Sequence, residues 1–408
     1  MLSLRASVKA AAGGLSSVFW TLWWGLLVNR MASFVVAFLA LYLVRDRGFS
    51  AAAAGWVVSL YGIGVTVAGP LGGLLADRLG RRATMVGGLA AGALAVAALA
   101  LARHPVLLSA LAFSAAATGD LYRPAMAAAV ADVVPPPDRT RAFGLVYWAV
   151  NLGLAFGLLV AGLFADRSLP GLFLADAGTT AVFATLVLLR VPETRPLGLL
   201  HEPALRGLAR VFGDGPFAAF LALHLVALVI FSQWQLGLPL DMAAHGLGPG
   251  AYAVLMAVNC AGVVLLQPLL APWLRRFDGA RLLAISALLF GLGHGANALE
   301  AGLPGYAVGT ALWTVGEVIG FPVASALVAD LAPADLRGRY QGAYAMTWGL
   351  ALTLSPVFGG QTFTRLGGRA LWIACLAIAL LVAAGHLAAG GARRRRLAAL
   401  GSMAPAEA

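Results

Sequence analysis

Twelve apolar runs, most of 20 residues or more and joined by short loops, constrain this chain more than any other feature. They cover 18–44, 51–76, 83–102, 106–132, 142–165, 171–190, 216–240, 250–272, 281–300, 305–330, 338–363 and 368–390. A helix of about 20 mainly apolar residues crosses the hydrocarbon core of a bilayer. Inside a bilayer every backbone polar group must be satisfied by the protein, so only helices and closed barrels span it. Barrel strands would read as segments of about ten residues with alternating polarity, and these runs are longer and do not alternate. An all-α integral membrane protein with twelve transmembrane helices is therefore expected. Composition agrees: 61% of the 408 residues are hydrophobic and 11% charged, against roughly 25% charged in a soluble domain. The run 18–44 exceeds the roughly 7–15 residues of a secretory leader's apolar core, and no cleavage site follows it, so it reads as span one.

The net charge of +11 is spread over short loops, which speaks against a nucleic-acid partner. Lys9 is the only lysine among 28 basic residues, so neither a phosphate-binding G-x-x-x-x-G-K-[ST] loop nor a mid-membrane Schiff-base lysine is possible. Basic residues divide unequally between the two sets of loops. Arg5, Lys9, Arg78, Arg81, Arg82, Arg139, Arg141, Arg190, Arg195, Arg206, Arg210, Arg275, Arg276, Arg281, Arg337, Arg339 and Arg393 to Arg396 fall on one side, 20 in all. Arg45, Arg47, Arg103, Arg167, Arg365 and Arg369 make six on the other. The positive-inside rule then puts both termini in the cytoplasm, which requires an even number of spans. The expected location is a plasma membrane, the inner membrane in a bacterium. Cys260 and Cys375 both lie in apolar runs and suggest no disulfide framework.

The longest loop, 191–215, holds Pro192, Pro196 and Pro203, with Glu202 to Phe212 readable as a short interfacial helix. It divides the chain into a six-helix bundle at 1–190, a cytoplasmic linker at 191–215, a second six-helix bundle at 216–392 and a cytoplasmic tail at 393–408. The halves are related. An ungapped offset of 198 residues puts Pro70 on Pro268, Arg78 on Arg276 and Pro124 on Pro322. It also puts Val130-Ala131-Asp132 on Val328-Ala329-Asp330, and Pro135, Arg139, Arg141 and Gly144 on Pro333, Arg337, Arg339 and Gly342. Parallel six-helix repeats with a substrate site between them are one architecture of secondary transporters.

The loop after span two reads G-G-L-L-A-D-R-L-G-R-R from Gly72 to Arg82. It resembles motif A of the major facilitator superfamily, G-x-x-x-D-R-x-G-R-R, at Gly73, Asp77, Arg78, Gly80, Arg81 and Arg82. Glycine permits close helix approach at position 73 and a tight turn at position 80, while Asp77 can cap a helix or pair with an arginine. Val191-Pro-Glu-Thr194 is similar to the segment that often follows span six in the superfamily. Span five, Gly157-Leu-Leu-Val-Ala-Gly162, departs from the G-P-x-x-G-G of the drug–proton antiporter branch that the chain otherwise resembles. The resemblance implies two pseudo-symmetric six-helix bundles with spans one, four, seven and ten around a central cavity. It also implies a cytoplasmic latch in which Asp132 partners Arg81 and Asp77 faces the start of span eleven.

Charges within a bilayer are costly and usually functional. Arg30 in span one, Asp120 and Arg123 in span four, and Glu317 in span ten stand near mid-span and sum to zero, consistent with pairing. Asp120 and Arg123, three apart, share a helix face. These four are the candidates for transport and proton coupling: Glu317 or Asp120 would take up a proton and Arg30 or Arg123 would respond. A buried ion-pair network that only fixes packing is the alternative. Asn29, Tyr122, Gln233, Trp234, Asn259 and Trp313 are candidate cavity residues. His224, His294 and His386 lie in spans without a metal-like spacing, so neither a metal nor another cofactor is expected.

The resulting expectation is a monomeric transporter of small molecules, working by alternating access and exporting hydrophobic or amphipathic compounds in exchange for protons. Uptake or facilitated transport of a metabolite such as a sugar or organic anion is the alternative. A membrane enzyme is not expected, because H-E-x-x-H, G-x-S-x-G and long catalytic loops are all lacking.

Overall fold

A computed structural model describes residues 13–164, 167–196, 203–274, 276–299 and 302–402. Arg5, Lys9, Glu202 and Arg275 lie outside the described residues. Among the described residues the regular structure is helical, without strands. In chain order, span one is Ser17–Met31 continued by Val35–Arg45, span two Ala51–Leu79 and span three Arg81–Leu101. Span four is Pro105–Gly119 continued by Tyr122–Val133, span five Arg139–Phe164 and span six Leu169–Arg190. After a linker helix, Ala204–Gly213, come span seven (Gly215–Phe231, resuming as Gly237–Ala244), span eight (Pro249–Leu274) and span nine (Gly279–Gly295). Spans ten, eleven and twelve are Gly302–Leu331, Arg337–Leu366 and Gly368–Ala388, and a tail helix, Gly390–Ser402, follows. Nine helices among the described residues are long and apolar enough to cross a membrane.

The breaks in spans one, four and seven have local causes. Pro124 cannot donate a backbone hydrogen bond and is tolerated in the first turn of Tyr122–Val133, so span four restarts there. Span one stops at Met31, and the Asp176 carboxylate of span six caps its second piece by accepting from Phe34 N (3.0 Å) and Val35 N (3.3 Å). Span seven tightens to a 3₁₀ turn at Ser232–Trp234 before resuming. Span ten carries Pro322 but continues as one helix.

Within the first half, spans three and six, two and four, and one and five pack together; within the second, nine packs on ten and twelve, and seven on eleven. The halves meet where span two packs on span eleven and span five packs on spans eight and ten. The two–eleven seam is a close backbone crossing. A Cβ on Gly73 would strike the Gly338 carbonyl, one on Gly69 the Gly342 carbonyl, and the reverse holds for Gly338 and Gly342. Each helix thus offers a G-x-x-x-G face, which lets helices approach where no solvent-driven burial holds them. The five–eight seam is its pseudo-symmetric counterpart, with Gly144 against Gln267 and Ala271. Farther along span two the same face opens: a Cβ on Gly62 or Gly55 would meet nothing within 4 Å. The two–eleven seam is thus closed at the end carrying the basic loops and lapses along span two toward the opposite end.

Candidate transport pathway and its closed end

The closed end is built around Asp77. Its carboxylate accepts from the backbone N–H of Gly338 (2.8 Å) and Arg339 (2.9 Å), capping span eleven across the seam, and pairs with Arg81 Nη1 at 3.1 Å. Arg81 is fully buried and reaches Asp132 through Nε at 3.1 Å. Asp132 also holds Arg337 of the other half at 2.6 Å, and Arg139 holds Asp330 at the same distance. Asp132 and Asp330, like Arg139 and Arg337, are 198 residues apart. The two cross-half bridges are therefore one contact repeated by the pseudo-two-fold.

Gly80 has φ +101°, a conformation open to glycine, and a Cβ there would run into the Glu193 carboxylate. Glu193 accepts from Arg81 N (2.8 Å) and Arg82 N (3.1 Å), capping span three. The Arg82 guanidinium donates to Leu188 O, and the Arg78 carbonyl accepts from Arg195. Every position of the Gly73–Arg82 loop singled out in the sequence thus lies at this seam or in the turn behind it.

The four mid-span charges do not form one network. Asp120 and Arg123 pair at 2.8 Å across the break in span four, with Arg123 half-exposed. Arg30 donates to the Tyr122 hydroxyl, lies over that ring, and has an Nε without a protein partner. Glu317, only 3% exposed, accepts from the Tyr147 hydroxyl of the other half and from Asn259 Nδ2 at 2.7 Å. No cation stands at ion-pair distance from it among the described residues. The neutral sum suggested mutual pairing, but span five separates Arg30 from Glu317. Gly153 packs on Arg30, whereas Tyr147, nearly two turns away, reaches Glu317.

Four of the six cavity candidates are buried. Asn29 turns to Thr180 of span six (2.8 Å), and Tyr122 is enclosed with Phe183. Gln233 bonds Ser355 of span eleven, and Trp313 stacks on His294. Their polarity serves contacts inside one half, a use that spacing alone does not separate from pathway lining. Trp234 and Asn259 remain half-buried. Among the described residues no cluster of three or more His, Cys, Asp or Glu side chains could hold a metal ion.

The family model described as Major Facilitator Superfamily matches residues 22–241 and 219–399. The chain belongs to the Major Facilitator Superfamily. It is 27% identical to a Na(+), Li(+), K(+)/H(+) antiporter of Planococcus maritimus over 84% of this chain and 91% of that protein. It is 29% identical to the multidrug resistance protein MdtH of Aeromonas salmonicida over 83% of each. The crystal structure of the human organic anion transporter MFSD10 (TETRAN) shares the fold, with a TM-score of 0.77 at 17% identity over 90% of this chain and 98% of that one. The protein is a multi-pass membrane transporter of the superfamily.

Several residues of this superfamily chain were not singled out from sequence. Tyr147 carries no sequence signal that distinguishes it from a packing aromatic. Asp176 and Asp241 were findable as acids in or beside apolar runs. Asp241 is buried and accepts from Tyr306 (2.6 Å) and Trp372 (2.9 Å). Glu193 sits in the quoted Val191–Thr194 segment, but the span-three N–H groups it caps, Arg81 and Arg82, lie more than 100 residues away.

Proposed function

We propose that this superfamily member exports small hydrophobic or amphipathic molecules by proton-coupled alternating access, as a monomer with both termini in the cytoplasm of a bacterial cell. Glu317 carries the proposal. It is buried between the halves, bonded to Tyr147 of the first and Asn259 of the second, and among the described residues no cation neutralises it. A charge so placed is costly unless paired, and a proton is the neutralising partner available. Taking up or losing that proton changes the bond with Tyr147, which spans the halves, so protonation and the closure of the pathway are linked. Cys260 of span eight, Thr314 on Glu317's own helix, Asn151 of span five and Tyr344 of span eleven also face this pair. Asp120, already neutralised by Arg123, is the second candidate. The names of the Planococcus and Aeromonas relatives, a cation–proton antiporter and a multidrug resistance protein, support this direction and class of cargo.

Uptake or facilitated movement of an organic anion is the second reading, favoured by the free Nε of Arg30. In proteoliposomes, a counterflow panel of amphipathic dyes and organic anions separates the two. For an exported dye, Glu317→Gln is expected to abolish transport driven by a pH gradient while keeping counterflow. If Glu317→Gln and Asp120→Asn both leave gradient-driven transport intact, proton coupling at these sites is wrong.

A further inference from the structure

Outside the pathway, a cavity of about 350 Å³ lies at the basic-loop end of the second half, lined by Arg210, Asp214, Pro333, Leu336, Tyr340 and Arg396. Two of its walls are the linker helix and the tail helix. Asp214 organises it, accepting from the Tyr340 hydroxyl (2.7 Å) and from Arg396 Nε (3.0 Å). Arg396 is thereby held side-on, and among the described residues both its terminal nitrogens lack a protein hydrogen bond. The tail helix that carries it is anchored, with Arg393 bonded to the His386 carbonyl and Leu397 packed on the buried cluster around Val211 and Phe217. Arg210, pairing with Asp335 at 3.2 Å, brings a second guanidinium from the linker helix. Pro333, Leu336 and the Tyr340 ring form an apolar wall.

We propose that this cavity binds the phosphate headgroup of an anionic phospholipid from the adjoining leaflet. Guanidinium groups match phosphate oxygens in charge and geometry. The lining sums to one net positive charge; Arg396 stands midway along the tail helix, and the other lining residues sit at the end of the linker helix or at or just before the start of span eleven, on the basic-loop side where a headgroup would lie. Anionic leaflets attract basic residues at that depth, and the apolar wall suits the carbons next to the phosphate. A bound lipid would tie the linker helix to the tail helix across the starts of spans seven and eleven.

The test uses the full chain in detergent, titrated separately with phosphatidylglycerol, phosphatidylcholine and inorganic phosphate while thermal unfolding and native mass are followed. Phosphatidylglycerol is expected to raise the melting temperature and to remain bound, and phosphatidylcholine to do neither. Arg396→Ala should weaken phosphatidylglycerol binding by about fivefold, the scale of one basic residue at an anionic surface. Arg395→Ala removes the same charge from an exposed position of the same helix, outside the cavity, and should leave binding unchanged. Equal losses in the two variants, or equal binding of both lipids, would overturn the proposal. So would inorganic phosphate displacing the lipid at matched concentration. If Arg396→Ala does not fold, Arg210→Ala set against the exposed Arg206→Ala gives the same contrast.

Discussion

Two ion pairs cross the closed end, related by the same pseudo-two-fold, and they are not equivalent. Asp132–Arg337 and Asp330–Arg139 are both 2.6 Å long. Asp132 is 3% exposed at its side chain and is shared with Arg81, whereas Asp330 is 28% exposed. The difference comes from the loops one helix away. In the first half Asp77 and Arg81 tie Asp132 to the start of span eleven. The second half has Arg275 and Gly279 at the matching positions, so no such tie can form. Gly80 and its counterpart Asp278 diverge in the same way. Span three is capped from a distance by Glu193, while Asp278 caps span nine itself through Ala280 N (3.0 Å) and Arg281 N (3.1 Å). Burial raises the Asp278 carboxyl, but those N–H groups and Arg394 outweigh it and hold the group below its usual range. A repeat can keep its contacts while one half alone carries the buried network that joins the halves.

That contrast can be broken most forcefully at Asp132. Asp132→Asn takes from the buried Arg81 one of its two carboxylates and from the partly buried Arg337 its ion pair, a loss of about 3 kcal/mol, and should widen spin-label distances across the closed end. Asp330→Asn should cost under about 1 kcal/mol, because its pair is partly exposed. Equal widening in the two variants would show that the pairs are equivalent after all.

The two seams offer a second, smaller contrast. Gly73→Ala forces a methyl group into the Gly338 carbonyl and should loosen the two–eleven seam by about 1–3 kcal/mol. Gly144→Ala meets the end of a flexible Gln267 side chain and should loosen the five–eight seam less. Thermal stability and cross-seam cysteine cross-linking would rank them. The smallest effect, of opposite sign, is expected at Gln267, which is buried with neither amide atom bonded by protein. Gln267→Leu removes that cost and should favour the closed end by about 1 kcal/mol; a more open distance distribution would contradict it.

Much of the scaffold was legible in the sequence. Apolar run length specifies helices regardless of their neighbours, and the 198-residue offset and the Gly73–Arg82 loop are patterns in the chain itself. The breaks at Met31 and Ser232 were not legible, because a cap from Asp176 and a local 3₁₀ turn replace helix inside continuous apolar runs. The pathway was the least legible part. Asn29, Gln233 and Trp313 have the composition of cavity residues, yet each turns to a partner within its own half.

By itself, then, the sequence determined that this protein lies in a membrane, that it is built from two related halves, and which loop distinguishes the first from the second. These follow from solvent preference and from patterns along one chain. Only the tertiary structure decided that Asp132 serves both Arg81 and Arg337, that Glu317 faces Tyr147 rather than Arg30, and that one end is closed. Those are choices among partners more than 50 residues apart, and they depend on which faces the packed helices turn toward one another.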